Sequence, residues 1–498
     1  MLFNSLQFLI FFPIVTLIYF AVPDKVKYIW LLICSYYFYM CWNAKYALLL
    51  LFSTLVTYIC GLMIERIKGQ NYNNRKKKTL KQFVVSCGFT LNLIVLFFYK
   101  YFNFALETLA HGIRLFNIEL NIPTFDIILP VGISFFTFQA LSYIVDVYRD
   151  EVYAERNFFR YALFVSFFPQ LVAGPIERSK NLLKQLAVPQ KFDFESARDG
   201  FALMLWGFFL KIVLADRIAI FVDKVYGNYY EFNGWYIIVA TILFAVQIYC
   251  DFAGYSTIAV GAAKIMGIHL MENFDAPYLS TSVAEFWRKW HISLTSWFKD
   301  YLYIPLGGSR KGKLRKYINK LIVFLVSGLW HGANVSFVVW GGLNGLYQII
   351  GEELQPYKKK VLKKINLNED NKVYRLSQMV ITFVLVDFAW IFFRAEGFKS
   401  ALQIIKQMLT TYNFSILFDG SLFGCGLNRK NFWFMILCII LLFIVDNCKR
   451  KGIKIREVML CKKFPFRCVF WVVSICVILI FGIWGPAYDA ANFIYFQF

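Results

Sequence analysis

Long apolar stretches follow one another along nearly the whole chain, separated by short basic loops, and this alternation admits very few folds. They can be drawn at Leu2–Val22, Tyr28–Trp42, Tyr46–Met63, Phe83–Phe104, Ile127–Tyr148, Phe158–Leu171, Gly200–Val222, Gly234–Tyr255, Leu321–Ile350, Met379–Phe393, Phe432–Val445 and Val469–Trp484. A hydrocarbon slab takes about 20 mostly apolar residues per helical pass, and it tolerates neither open strand edges nor lipid-exposed irregular backbone. The expected fold is an all-α polytopic membrane protein of roughly 11 to 13 membrane helices, re-entrant or broken ones included. It is expected to be a single integral-membrane domain over residues 1–498, with no stretch left for a soluble domain. Composition agrees, since 59% hydrophobic and 17% charged residues lie far outside soluble usage. Leu2–Val22 has no basic n-region and no small-residue cleavage site, so it reads as a retained span and not as a secretory signal.

Lysine and arginine outnumber aspartate and glutamate by 53 to 31. In a soluble domain that excess would point to nucleic acid. Here it sits in short loops between apolar stretches, as the positive-inside bias requires, and nucleic-acid binding is excluded. The segment Arg66–Lys81, with the run Arg75-Lys76-Lys77-Lys78, is then expected to be cytoplasmic. Three stretches precede it, so the N-terminus is expected outside, and the last stretch carries the C-terminus outside as well. Arg310–Lys320, Lys358–Lys364 and Lys449–Lys463 are equally basic and fall on the cytoplasmic side by the same rule.

Two of those loops flank one apolar stretch, Leu321–Ile350, and a single pass cannot return to its starting side. The stretch is interrupted at Gly328-Leu329-Trp330-His331-Gly332-Ala333-Asn334, where glycines and polar residues break a helix at membrane depth. A re-entrant or broken element follows, with His331 near its tip, and its non-helical backbone is tolerable only where it lines a cavity within the protein.

The chain has four histidines, His111, His269, His291 and His331. An ionisable group at membrane depth is costly, which makes His331 a functional candidate; the alternative is a packed ring bonded to nearby backbone. His291 lies in Phe286–Phe298, where Phe286, Trp290, Leu294 and Trp297 recur at helical spacing. That pattern reads as one amphipathic helix at the interface, with tryptophans at headgroup depth and Arg288 and Lys289 toward phosphates, or as the roof of a cavity that presents His291.

Two histidines without a carboxylate cluster argue against a catalytic metal, since zinc sites of that kind use three protein ligands. No G-x-S-x-G elbow and no P-loop occurs, and the eleven cysteines form no C-x-x-C pair. What remains is imidazole as a general base toward a hydroxyl, which suits acyl transfer from a thioester. A second histidine, or backbone amides at the helix break, would steady the oxyanion. Of the other polar groups in apolar surroundings, Lys211 and Asp216 read as a charge-cancelling pair. Gln139 and Asp251 stay open between helix-to-helix hydrogen bonds and site lining.

The combination resembles the membrane-bound O-acyltransferase (MBOAT) family, in its alginate O-acetyltransferase-like branch, which also holds peptidoglycan and cellulose acetylators and the teichoic-acid D-alanylation protein. The likeness covers nearly the whole chain. It rests on Met1-Leu2-Phe3-Asn4-Ser5-Leu6, Leu129–Phe135, Phe168–Ile176, the Trp287–Tyr303 block and Trp330-His331-Gly332. The resemblance implies helices around a central funnel, with a cytosolic opening for acetyl-CoA as acyl donor substrate and no permanently bound cofactor or metal. It implies His331 as the catalytic histidine and His291 as the second active-site position, with Trp287, Arg288, Trp330, Asn334, Gln139 and Asp251 as candidates for lining the donor path or funnel.

It also implies a multi-pass place among the lipids of a bacterial cytoplasmic membrane, a polysaccharide acceptor outside, and an extracytoplasmic SGNH or esterase-like acetyltransferase partner. The last six residues, Phe493–Phe498, match an F-x-Y-x-x-F ending similar to that of the small peptide that accompanies the D-alanylation protein. By that likeness Tyr495 is expected to carry the acyl group outward; a terminal aromatic anchor at the interface is the plain alternative. Transfer of D-alanine or another acyl group, an envelope-precursor transporter or flippase, and a scaffold without catalysis are the competing readings.

Overall fold

The computed structural model describes residues 1–114, 116–117, 125, 128–484 and 494, and among these the regular structure is helical, with no strand. Six helices are long and apolar enough to cross a membrane: Ala44–Gly69, Asn74–Arg114, Gly234–Ile265, Lys372–Arg394, Arg429–Arg450 and Phe464–Phe481. Two shorter apolar helices, Leu6–Ala21 and Ile133–Tyr148, accompany them. The chain divides into two compact units, one of Met1–Met204 with Ile258–Met271 and the other of Leu205–Thr257 with Glu272–Phe498.

In the first unit, two of the recognised motifs are explained by backbone meeting backbone. Gly132 has φ +75°, and a Cβ there would lie 2.6 Å from the Leu171 carbonyl oxygen, so the 130–135 turn lies directly on the 168–176 segment. The expected span Phe158–Leu171 is broken: one helix covers Phe158–Ser166, Phe167 is extended (φ −52°, ψ 111°), and a short turn follows at Phe168–Leu171. The break is affordable because the Ser35 hydroxyl accepts the Phe168 amide at 3.1 Å.

The second unit resolves the topological conflict. The apolar stretch after Arg310 is two helices, Lys313–His331 and Val335–Lys364, folded back as a hairpin. Contacts recede from the tip in step, from Gly328 against Phe337 to Gly341 against Phe324 and Gly345 against Leu321. Farther out, Lys320 pairs with Glu352 at 2.5 Å, Lys313 with Glu353 at 2.6 Å, and Lys316 with Glu352. Burial acts to raise the Glu352 carboxyl, but the hydrogen bonds from Lys316 and Lys320 outweigh it and hold it below the usual carboxylate range. Both basic flanks therefore sit at the open end. From Lys320 to His331 the helix rises about 16 Å, roughly half of a 30 Å hydrocarbon core.

Glycine makes this crossing possible. A Cβ on Gly328 would lie 2.2 Å from the Phe337 carbonyl oxygen, and one on Gly341 would lie 2.2 Å from that of Phe324. Gly328→Ala and Gly341→Ala are each expected to destabilise the protein by about 1–3 kcal/mol through overpacking. Gly351→Ala, where an added Cβ meets nothing within 4 Å, is expected to be neutral or to stabilise by up to about 1 kcal/mol. Thermal unfolding of the three variants in detergent checks the contrast.

Candidate functional site

His331 is the last residue of the first hairpin helix, and Gly332 turns the chain out of it, its amide still bonded to the Gly328 carbonyl at 3.3 Å. A side chain at 332 would run into the Phe337 ring, 2.2 Å from the ideal Cβ, which accounts for the Trp330-His331-Gly332 sequence. The imidazole lies edge-on to three aromatic rings: Trp330 at 4.9 Å, Trp340 at 5.0 Å and Phe393 at 5.4 Å between centroids. Trp340 in turn stacks on Trp390, and Phe393 meets both. This is a stiff cage, since aromatic pairs in such geometries add to the burial of their large surfaces.

His291 is brought to the same place by a broken helix. The single amphipathic helix expected over Phe286–Phe298 is two short helices, Val283–Lys289 and Ile292–Phe298, with Trp290 extended and His291 left-handed (φ 42°, ψ 56°). The loop at 273–275 competes for the backbone. Asp275 donates its amide to the Lys289 carbonyl at 3.0 Å, Ile292 donates to the Asn273 carbonyl at 2.9 Å, and Ser293 donates to Asn273 Oδ1 at 3.2 Å. A left-handed conformation costs a non-glycine residue about 1–2 kcal/mol, so these bonds hold His291 where propensity would not. Its ring is fully buried, edge-on to Phe252 at 4.6 Å and 6.2 Å from Trp330, with the Ser293 hydroxyl 3.5 Å from Nδ1. Trp330 thus touches both imidazoles.

Trp287 and Trp290 are core residues and not headgroup anchors, because neighbouring helices cover them. Trp287 is 4% exposed and gives its indole N–H to Asn344 Oδ1 at 3.0 Å, while Trp290 is 1% exposed against Phe286 and Trp390. Arg288 is exposed. Asn334 caps the second hairpin helix, accepting from the Ser336 amide at 2.9 Å and donating to the Glu396 carbonyl at 3.2 Å. Gln139 lies in the first unit, where it donates to the Phe164 carbonyl at 2.6 Å, the same oxygen that Gln170 uses. Asp251 is buried in the second unit against Lys211, which also holds Asp216.

Tyr495 lies outside the described residues. Ile494 before it is buried, and its amide donates to Asp251 Oδ2 at 2.9 Å. Sequence reasoning missed Asn273, Trp340, Asn344, Trp390 and Phe393. Asn273 and Asn344, polar beside apolar runs, carried a faint signal; the aromatic residues carried none. Among the described residues no group of three or more histidine, cysteine, aspartate or glutamate side chains could hold a metal ion.

Fold and site define a multi-pass helical membrane protein with two buried histidines brought to one indole by a hairpin tip and a helix break. The sequence profile of the membrane-bound O-acyltransferase family matches residues 37–395, and the chain belongs to that family. That family membership supports the O-acyltransferase reading over the transporter, flippase and scaffold readings. It is 35% identical to the probable alginate O-acetylase AlgI of Pseudomonas aeruginosa, over 85% of this chain and 78% of that one. The peptidoglycan O-acetyltransferase of Helicobacter pylori is 31% identical over 86% of this chain and 84% of its own. The teichoic acid D-alanyltransferase of Bacillus subtilis is 28% identical over 55% of this chain and 71% of its own.

Asn273→Ala removes the acceptor for Ser293 and the 3.1 Å donor to the Ser256 hydroxyl. It is expected to cost about 1–3 kcal/mol of stability. Arg288→Ala, on an exposed side chain, should leave the thermal midpoint unchanged.

Proposed function

We propose that this chain takes acetyl from cytosolic acetyl-CoA and delivers it through the bacterial cytoplasmic membrane for O-acetylation of an extracytoplasmic polysaccharide. The observation that carries the reading is His331, caged at the hairpin tip beside an indole shared with His291. His331 keeps 4% exposure while His291 has none. Of the two, His331 is the base and His291 the residue that sets its surroundings. As a hydroxyl oxygen attacks the thioester carbonyl, the His331 imidazole takes the hydroxyl proton. The carbon–sulfur bond then breaks and the proton passes to the departing thiolate, leaving an ester and free CoA. A site closed to bulk water protects the thioester from hydrolysis and strengthens the dipoles that face the oxyanion.

The hydroxyl we assign to this step is that of Tyr495, which then hands the acetyl group to a separate SGNH or esterase-like partner on the outer side. Charge asymmetry of the loops, with both termini outside, supports that direction. Acetyl is favoured over D-alanine because the acetylating relatives align over 85% and 86% of this chain, against 55% for the D-alanyltransferase. Polymer O-acetylation by those relatives supports a polysaccharide acceptor.

Purified protein incubated with acetyl-labelled CoA tests the reading. Acyl transfer and hydrolysis should fall by about 100-fold or more in His331→Ala, the scale of a lost general base; wild-type turnover in that variant overturns the assignment. In cells, Tyr495→Phe should abolish polymer acetylation, and intact acetylation would rule out the relay.

A further inference from the structure

Three described residues at and beyond the end of helix Phe464–Phe481, namely Phe481, Ile483 and Ile494, are bonded to neighbouring parts of the second unit. Where helix Phe464–Phe481 ends, Arg217 donates to the Phe481 carbonyl at 2.5 Å while its other nitrogen holds Asn431 at 3.0 Å. Two residues on, the Ile483 amide donates to the Ile212 carbonyl at 2.9 Å. The third is the bond from Ile494 to Asp251.

The segment that receives Ile483 is unusual in itself. Residues Phe209–Ala215 form a π-helical segment that runs into the helix Asp216–Gly227. Such segments displace carbonyls from the α-helical register and collect at functional sites. Lys211 stands within it, between Asp216 Oδ1 at 2.9 Å and Asp251 Oδ1 at 2.5 Å. Gly254 allows the two helices to close on each other, since a Cβ there would lie 2.8 Å from the Gly207 carbonyl oxygen and 2.9 Å from the Lys211 nitrogen. All three charged side chains are at most 7% exposed.

An ammonium and two carboxylates gathered away from water each require hydrogen-bond partners. For Asp251 Oδ2 the chain supplies the backbone of residue 494.

We propose that Phe209–Arg217 together with Asp251 form an intramolecular docking site for the chain's own C-terminal segment, and that Asp251 is its latch. The latch reads a backbone N–H, so it selects the presence of the chain at residue 494 and not a particular side chain. Asp251 is a positioning residue. The neighbouring Phe252 ring packs on His291 at 4.6 Å, so adjacent residues of one helix fix the residue before Tyr495 and the second histidine. Only the consequence for acyl transfer rests on the relay proposed above; the docking itself does not.

The full-length protein in detergent tests the docking. Maleimide labelling at Ile494→Cys, which keeps the amide, should be slow, and adding Asp251→Asn should speed it by about tenfold or more, the scale of one charge-assisted hydrogen bond. Equal rates overturn the latch. Should Asp251→Asn fail to give monodisperse protein, Ile494→Pro removes the donor and leaves the ion cluster untouched. Protease cleavage of the C-terminal segment should then be about tenfold faster than in Ile494→Ala, and equality of the two variants overturns the proposal. Slow labelling at 494 with no acetyl ever found on Tyr495 would uphold the docking site and remove the relay. Full acetyl label on Tyr495 together with unchanged labelling and cleavage rates in Asp251→Asn and Ile494→Pro would do the reverse.

Discussion

In hydrocarbon a backbone amide or carbonyl finds no water, so a helix stops only where another part of the protein completes its hydrogen bonds. The breaks in this chain obey that constraint. Phe168 is answered by the Ser35 hydroxyl, the turn at His291 by the loop 273–275, and the start of the second hairpin helix by the side chain of Asn334. Two of the three breaks carry the histidines. The positions of His291 and His331 are thus set by neighbouring backbone and amide groups before any side-chain packing is considered.

Packing then fixes the rings. Trp290, Trp340, Trp390 and Phe393, each 1% exposed, form a continuous aromatic wall from the helix break to the hairpin tip. An aromatic lining of this kind restricts an imidazole without offering it a charged partner. It also explains why Trp287 and Trp290, which on sequence spacing alone suit a membrane surface, are interior residues: Asn344 satisfies the Trp287 indole and the wall takes up Trp290.

Much of this was legible in the sequence. Apolar run length announced the helices, and the two basic flanks around Leu321–Ile350 demanded a return, which the structure supplies as a hairpin turning at 332–334. Motif glycines at 132 and 332 were visible as letters, though their purpose, close approach to Leu171 and Phe337, needed coordinates. What sequence could not yield is whatever depends on long-range competition for the backbone. Helical periodicity over Phe286–Phe298 is genuine, yet Asn273 overrides it from outside the window. Asp251 was open between structure and site because its partners, Lys211 and residue 494, lie far away in the chain.

The glycine crossing at 328 and 341 has a mechanical corollary. Two helices whose main chains touch cannot slide or splay without vacating that contact, and the ion pairs at Lys313, Lys316 and Lys320 clamp their far ends. His331 therefore stands on a rigid post, and any group that is to meet its imidazole has to be carried to it.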